Sequence, residues 1–194
     1  MSTTSVLDQL QQVHELNRAF LGLLQSRARQ EPRATLGLPP AARPVIAAAS
    51  ASLLDGVARF PRALFQLELD VPARAGRAEP DHAAADFDEA EHDLCLLILL
   101  AARHTSRQSA YQARLLLCLA AAKVERLSTV PLADLQRLAG MPGVLGCTFR
   151  DRQWFWHGLF TATRPELRRQ LTLMALQPGS APGWPQRRPP QASA

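Results

Sequence analysis

Lysine is all but absent from this sequence: 21 of its 22 basic side chains are arginine. Together with frequent Ala and Pro, that is the usage a GC-rich genome produces, so the net charge of +5 is a weak pointer to nucleic acid. Cysteine is scarce too. Cys95, Cys118 and Cys147 are far apart, odd in number and set among apolar neighbours, the pattern of reduced, buried thiols and not of a disulfide framework or a CxxC metal site. The longest apolar run, LCLLILLAA at 94–102, is about half of what a bilayer crossing needs. The opening MSTTSVLDQLQQ is polar and helix-initiating, so no signal peptide is expected and a cytoplasmic location is. GxSxG, HExxH, P-loop and GxGxxG motifs are missing. Cys147 activated by His157 would need a lowered thiol pKa and an oriented base, and neither is legible here. No enzyme activity, cofactor or metal is expected.

What is present is helical periodicity. Leu10, Val13, Asn17, Phe20 and Leu24 share one stripe of residues 7–29, with Leu16 and Leu23 beside it. An Asn in that seam either fixes the register of a helix pair or sits solvated on an imperfect stripe. GLPPAARP at 37–44 breaks the pattern. A short helix follows, then LLDGVARF at 53–60, stopped by Pro61. In ALFQLELD, Phe65, Leu67 and Leu69 alternate with Gln66, Glu68 and Asp70, as in a half-buried strand.

Residues 71–90 are polar and read as a linker. Seven of the 17 acids lie between Glu79 and Asp93, leaving the rest of the chain more basic. The acidic end complements the dipole of an apolar helix expected over 93–103. Glu91, His92 and Asp93 could instead form a metal or acid–base site, but consecutive side chains diverge around a helix. Residues 111–127 predict one further helix. Thr129 is the expected N-cap of LADLQRLA, with Pro131 in its first turn, Gly140 at its end and Pro142 beyond. Leu145, Cys147 and Phe149 alternate with Gly146, Thr148 and Arg150 as a second short strand. QWFWHGLF then begins a helix that packs part of its face on that strand. Thr163 and Glu166 form a capping box for a last helix to about residue 176, and 177–194 predict a disordered tail.

Two of the three Trp and three of the seven Phe crowd into GCTFRDRQWFWHGLF, residues 146–160. The cluster is open to three readings: core closure, a protein interface around Trp154 and Trp156 rimmed by Arg150 and Arg152, or stacking on single-stranded nucleic acid. From Arg150 onward seven Arg face only Asp151 and Glu166. The candidate anion or DNA contacts are Arg150, Arg152, Arg164, Arg168 and Arg169. The candidate partner or helix-seam residues are Asn17, Phe20, Trp154 and Trp156.

Residues 5–70 and 91–176 follow one order: a long apolar helix, a polar interruption, a short helix, a second helix ending VARFP or LAGMP, and one strand. Pro61 and Pro142 hold matching places and the register then slips by one residue, which reads as an internal duplication. The series HELNRAFLGLLQSRARQE, ATLGL and VARFPRALFQLELD resembles the FlhD family of flagellar transcriptional regulators, with Asn17, Gln25, Gln30 and Gly37 in the corresponding places. LILLAAR (97–103) and PLADLQRLAGMPGVLGCTFR (131–150) resemble the same pattern without the Asn and the Gly.

The resemblance implies a mainly helical fold of two tandem units, each with one short strand, arranged as a pseudo-dimer within a monomer, or else as a homodimer. It implies a regulator subunit that acts with an FlhC-like protein and reaches DNA only through their complex, away from membranes. Family members can carry a strand Cys that bonds to its copy across the dimer. Cys147 matches that position, but the first half has Phe65, so no such bond joins the halves. The competing expectation is an assembly protein or chaperone of a flagellar or type III-like secretion system, with a protein ligand and no DNA.

Overall fold

The computed structural model describes residues 6–30, 36–70, 89–150, 152–162 and 165–176. The stretch read as a linker, up to residue 88, the tail at 177–194 and Thr163 of the capping box lie outside the described residues.

The fold is mainly helical. Helix α1 (Val6–Gln30) buries Val13, Leu16, Asn17, Phe20 and Leu24 as its periodicity predicts, and Leu21 besides, while Leu10 and Leu23 are half-buried. A 3-10 turn (Pro40–Ala42) leads into the short α2 (Arg43–Ala47) and α3 (Ala51–Ala58). Ser50 caps α3, its hydroxyl accepting from Leu53 N at 3.2 Å. Strand β1 (Phe65–Leu67) follows, alternately buried and half-buried. The chain resumes with α4 (Glu89–Gln108), α5 (Ala110–Leu116), α6 (Ala121–Thr129), α7 (Leu132–Ala139) and β2 (Leu145–Cys147), and closes with α8 (Gln153–Thr161) and α9 (Pro165–Leu176).

Helix α1 packs on α2 and α3, and α4 packs on α6 and α7. Strands β1 and β2 pair antiparallel, with Phe65 opposite Cys147, Gln66 opposite Gly146 and Leu67 opposite Leu145. The buried apolar residues of both halves form one continuous core from Val13 to Phe160.

Backbone bonds tie the halves together. Ala63 N donates to Leu116 O at 2.7 Å, Glu68 N to Val144 O at 2.8 Å and Thr148 N to Leu64 O at 3.0 Å. The only lysine, Lys123 on α6, donates to Leu67 O at 2.7 Å and to the Glu68 carboxylate at 2.9 Å. Arg27 of α1 meets Glu91 of α4 at 2.5 Å.

Four sequence expectations need correction. Residues 111–127 are two helices, not one: Ser109 caps α5, and the chain turns at Leu117–Ala120 with Cys118 at φ +57°. There the apolar run turns into the core, and Leu117 and Leu119 are both buried. The apolar helix at 93–103 is longer at both ends than its apolar run, because Glu89 and Glu91 favour a first helical turn. Thr129 does not cap α7 but ends α6, its hydroxyl donating to Glu125 O and Arg126 O, while Pro131 takes the N-cap place. Both strands are shorter than their alternation: β1 stops at Leu67, with Leu69 buried beyond it, and β2 stops at Cys147. Phe149 is buried in the following turn at φ +57°.

Gly37 shows why one glycine is needed. It has φ +78°, in the left-handed region, and Leu36 beside it accepts from Cys147 N at 2.7 Å. A Cβ at Gly37 would touch only Arg150 atoms at 3.7 and 3.9 Å, so space is not the constraint. Gly37→Ala is therefore expected to cost about 1 kcal/mol through backbone strain alone, measured as a shift in the denaturation midpoint at unchanged slope. In the second half, Cys118 stands 81 residues after Gly37 and keeps the same left-handed backbone without being glycine.

Candidate functional site

The aromatic cluster splits by helical geometry. On α8, Phe155, Trp156, Leu159 and Phe160 are buried, a stripe at i, i+1, i+4 and i+5. Phe155 meets Phe60 edge-on at 5.6 Å between ring centroids and Phe149 at 4.4 Å. The indole N–H of Trp156 donates to Thr148 O at 2.7 Å, so a fully buried tryptophan is also fully paired. Helix α8 packs on the 3-10 turn, α2 and α3 of the first half, rather than chiefly on the strand preceding it. That strand is already flanked by β1 and by the Leu36 carbonyl.

Trp154 alone among these aromatics points outward, 42 % exposed. Helix α9 rests on α8, with Leu171 packed where Gly158 leaves room: a Cβ there would come within 3.2 Å of Leu171. Trp154 shares the Gly158 stripe at i, i+4. On α9, Leu167 and Met174 share the side of Leu171 and are exposed, and Leu173 is exposed on the opposite side. The aromatic cluster is therefore core except for Trp154, which belongs to an open apolar surface, and no platform of stacked, exposed rings exists among the described residues.

Asn17 and Phe20 are not surface residues. Phe20 is fully buried, edge-on to Phe65 with ring centroids 6.0 Å apart. Asn17 is neither a helix-pair register residue nor solvated. Its amide donates to Arg62 O at 2.9 Å, Ala58 O at 3.2 Å and Phe60 O at 3.4 Å, and its carbonyl accepts from Leu64 N at 2.8 Å. It clamps to α1 the turn that joins α3 to β1. Gln25 does the same for the turn after α2, donating to Ala49 O at 2.7 Å and Ile46 O at 3.1 Å.

Three of the five candidate arginines have described side chains. Arg150 lies over Gly37, Arg152 stacks over the Phe149 ring at 5.9 Å, and Arg169 is exposed on α9. Arg164 and the side chain of Arg168 lie outside the described residues. Elsewhere the cations hold the fold: Arg18 pairs with Asp55 and Arg126 with Asp70. Arg29, Arg62 and Arg103 donate to the carbonyls of Ala47, Leu115 and Val130. These arginines have structural contacts, but pairing with acids leaves the net charge of +5 unchanged.

The thiols are poor nucleophiles. Burial raises all three, Cys95 to about 12 with Glu91 adding to the effect; Arg62 partly offsets the rise at Cys118. His157, the base considered for Cys147, is exposed while Cys147 is buried. Glu91 is taken by Arg27, and among the described residues no group of three His, Cys, Asp or Glu is placed to hold a metal. An open groove of about 450 Å³ runs between the start of α1 and the end of α4, lined by Asp8, Gln9, Glu15, His104 and Gln108 among others.

His14 provides a pH handle. Its Nε2 is buried without a partner, and burial, with Arg59 adding, holds its pKa below the ordinary 6.5. The unfolded chain therefore takes up this proton at higher pH than the folded one. Stability should be full above about pH 6.5 and decline as pH falls below it. Thermal melts from about pH 7 to about pH 5 should show a smaller decline for His14→Gln than for the parent.

Sequence reasoning did not single out Leu97 and Leu100 on α4, which are 52 % and 37 % exposed. The signal was available as a 4-3-4-3 spacing from Asp93 to Arg107, hidden by apolar neighbours on every side. Among the described residues no helix is long and apolar enough to cross a membrane. No protein-family signature, curated protein or solved structure matches this chain.

Proposed function

We propose that the chain is an interaction subunit of FlhD-like transcription control. On this reading it acts through an FlhC-like protein in flagellar or related gene regulation and meets DNA only within that complex. The observation that carries the reading is the antiparallel pairing of β1 with β2 over one core. Two stretches of the same element order joined in this way are what a tandem pseudo-dimer of such units requires. The Trp154, Leu167 and Met174 surface is the proposed partner contact, since half-exposed aromatics and Met are enriched in such interfaces.

The test is co-expression with an FlhC-like protein from the same genome, followed by affinity purification and a mobility shift on flagellar promoter DNA. The two chains should purify together and shift DNA in a salt-sensitive way, while this chain alone shifts nothing. Trp154→Ser with Met174→Ser should abolish co-purification at unchanged melting temperature. Failure to co-purify, or DNA binding by the isolated chain, overturns the reading.

A second reading is an assembly protein or chaperone of a flagellar or type III-like secretion system, favoured by the exposed apolar side chains of Trp154, Leu167 and Met174. Affinity purification from the host would then bring down secretion or flagellar structural components without transcription machinery.

A further inference from the structure

Helix α4 divides cleanly around its axis. Its buried residues, from Leu94 to Ser106, occupy one side, and Asp93, Leu97, Leu100, His104 and Arg107 are exposed on the other at a 4-3-4-3 spacing. No described element covers this stripe. Two leucines more than a third exposed at mid-helix are unusual where the rest of the run LCLLILLAA is packed. The side chain of Asp93 is 72 % exposed, although His92 stands 3.4 Å from it.

The stripe has a direction. It begins acidic with Glu89 and Asp93, is apolar at Leu97 and Leu100, and ends basic with His104 and Arg107. Such a helix is complementary to itself turned end for end. A two-fold axis midway between Leu97 and Leu100 places Leu97 of one copy against Leu100 of the other. One layer out on either side, Asp93 of each copy meets His104 of the other, where the ring N–H can donate to the carboxylate, and Arg107 comes near Glu89. The contact is isologous, so each favourable pair is formed twice.

We propose that the exposed face of α4 is a self-association surface on which a second copy of this chain pairs antiparallel. Each copy keeps both halves and its whole core, so this contact is distinct from the β1–β2 pairing and does not rest on the proposed function. Two crossing helices bury less than a standard interface, and Asp8 and Glu15 in the groove beside His104 oppose the partner's acidic end. The dimer is therefore weak and concentration-dependent.

Sedimentation equilibrium of the full chain over two decades of concentration tests this. A monomer–dimer equilibrium is expected, with a dissociation constant on the order of 100 µM. Leu97→Glu with Leu100→Glu should weaken it by about tenfold or more at unchanged melting temperature, since both side chains are solvent-facing. Asp93→His or His104→Asp alone should weaken the dimer, and the two together should restore it. A chain monomeric throughout, a dimer indifferent to Leu97 and Leu100, or a double swap without rescue overturns the proposal.

Discussion

Asn17→Leu is expected to destabilise the protein by about 3–5 kcal/mol, more than nearly any other exchange of similar volume in the chain. Asn17 is fully buried, and its one side chain serves four backbone groups in the turn from α3 to β1. Leucine fills the space but leaves the carbonyls of Ala58, Phe60 and Arg62 and the Leu64 N–H without that partner. Each orphaned buried group costs about 1–3 kcal/mol, softened where the turn relaxes toward water. Asn17→Asp separates packing from pairing. It still accepts from Leu64 N but points a carboxylate at three carbonyl oxygens, and should be at least as damaging as leucine at neutral pH. Denaturant titration checks both; a loss below about 1 kcal/mol would mean that the turn is held mainly by packing.

Trp156→Ala should cost about 4 kcal/mol, the usual range for truncating a buried aromatic. Two terms contribute: the apolar surface of a fully buried indole, and the bond to Thr148 O, whose carbonyl would lose this donor. Trp156→Phe keeps most of the first and removes the second, so about 1–3 kcal/mol is expected there. Trp154→Ala, two residues away and half-exposed, should change stability by about 0.5 kcal/mol or less. Melting curves of the three variants should fall in that order. Equal losses at Trp154 and Trp156 would contradict the division of α8 into a buried and an open side.

The elements were legible where local periodicity decides them. The stripe from Val13 to Leu24 on α1 and the alternation of Phe65 and Leu67 follow from sequence spacing, and the burial of Cys95 and Cys147 from their apolar neighbours, whereas Cys118 is only half-buried. What escaped was set by groups distant in sequence. The carbonyls that claim Asn17 lie 41 to 45 residues on, and nothing local marks them. The chain turns at Cys118 within an otherwise helical apolar run, a choice made by burial of Leu117 and Leu119 and not by a glycine. Helix α8 leaves its own half to close over Phe60, which requires knowing the three-dimensional path. On α4 every position from 94 to 102 is apolar, so composition could not reveal which two leucines face outward. For the candidate site, the exposure of Trp154 could not be told from the burial of Trp156 and Phe20 by residue type alone.

The β1–β2 pairing and the return of α8 across the first half also bear on synthesis. The first 70 residues leave the ribosome without Cys147 opposite Phe65 and without Phe155 against Phe60. They arrive only at residues 147 and 155, a delay of about 4–17 s at elongation rates of about 5–20 residues per second. Through that interval the nascent chain carries an open strand edge and an uncovered aromatic face. Its yield in the cell should therefore depend on chaperone capacity, even if the finished protein is stable.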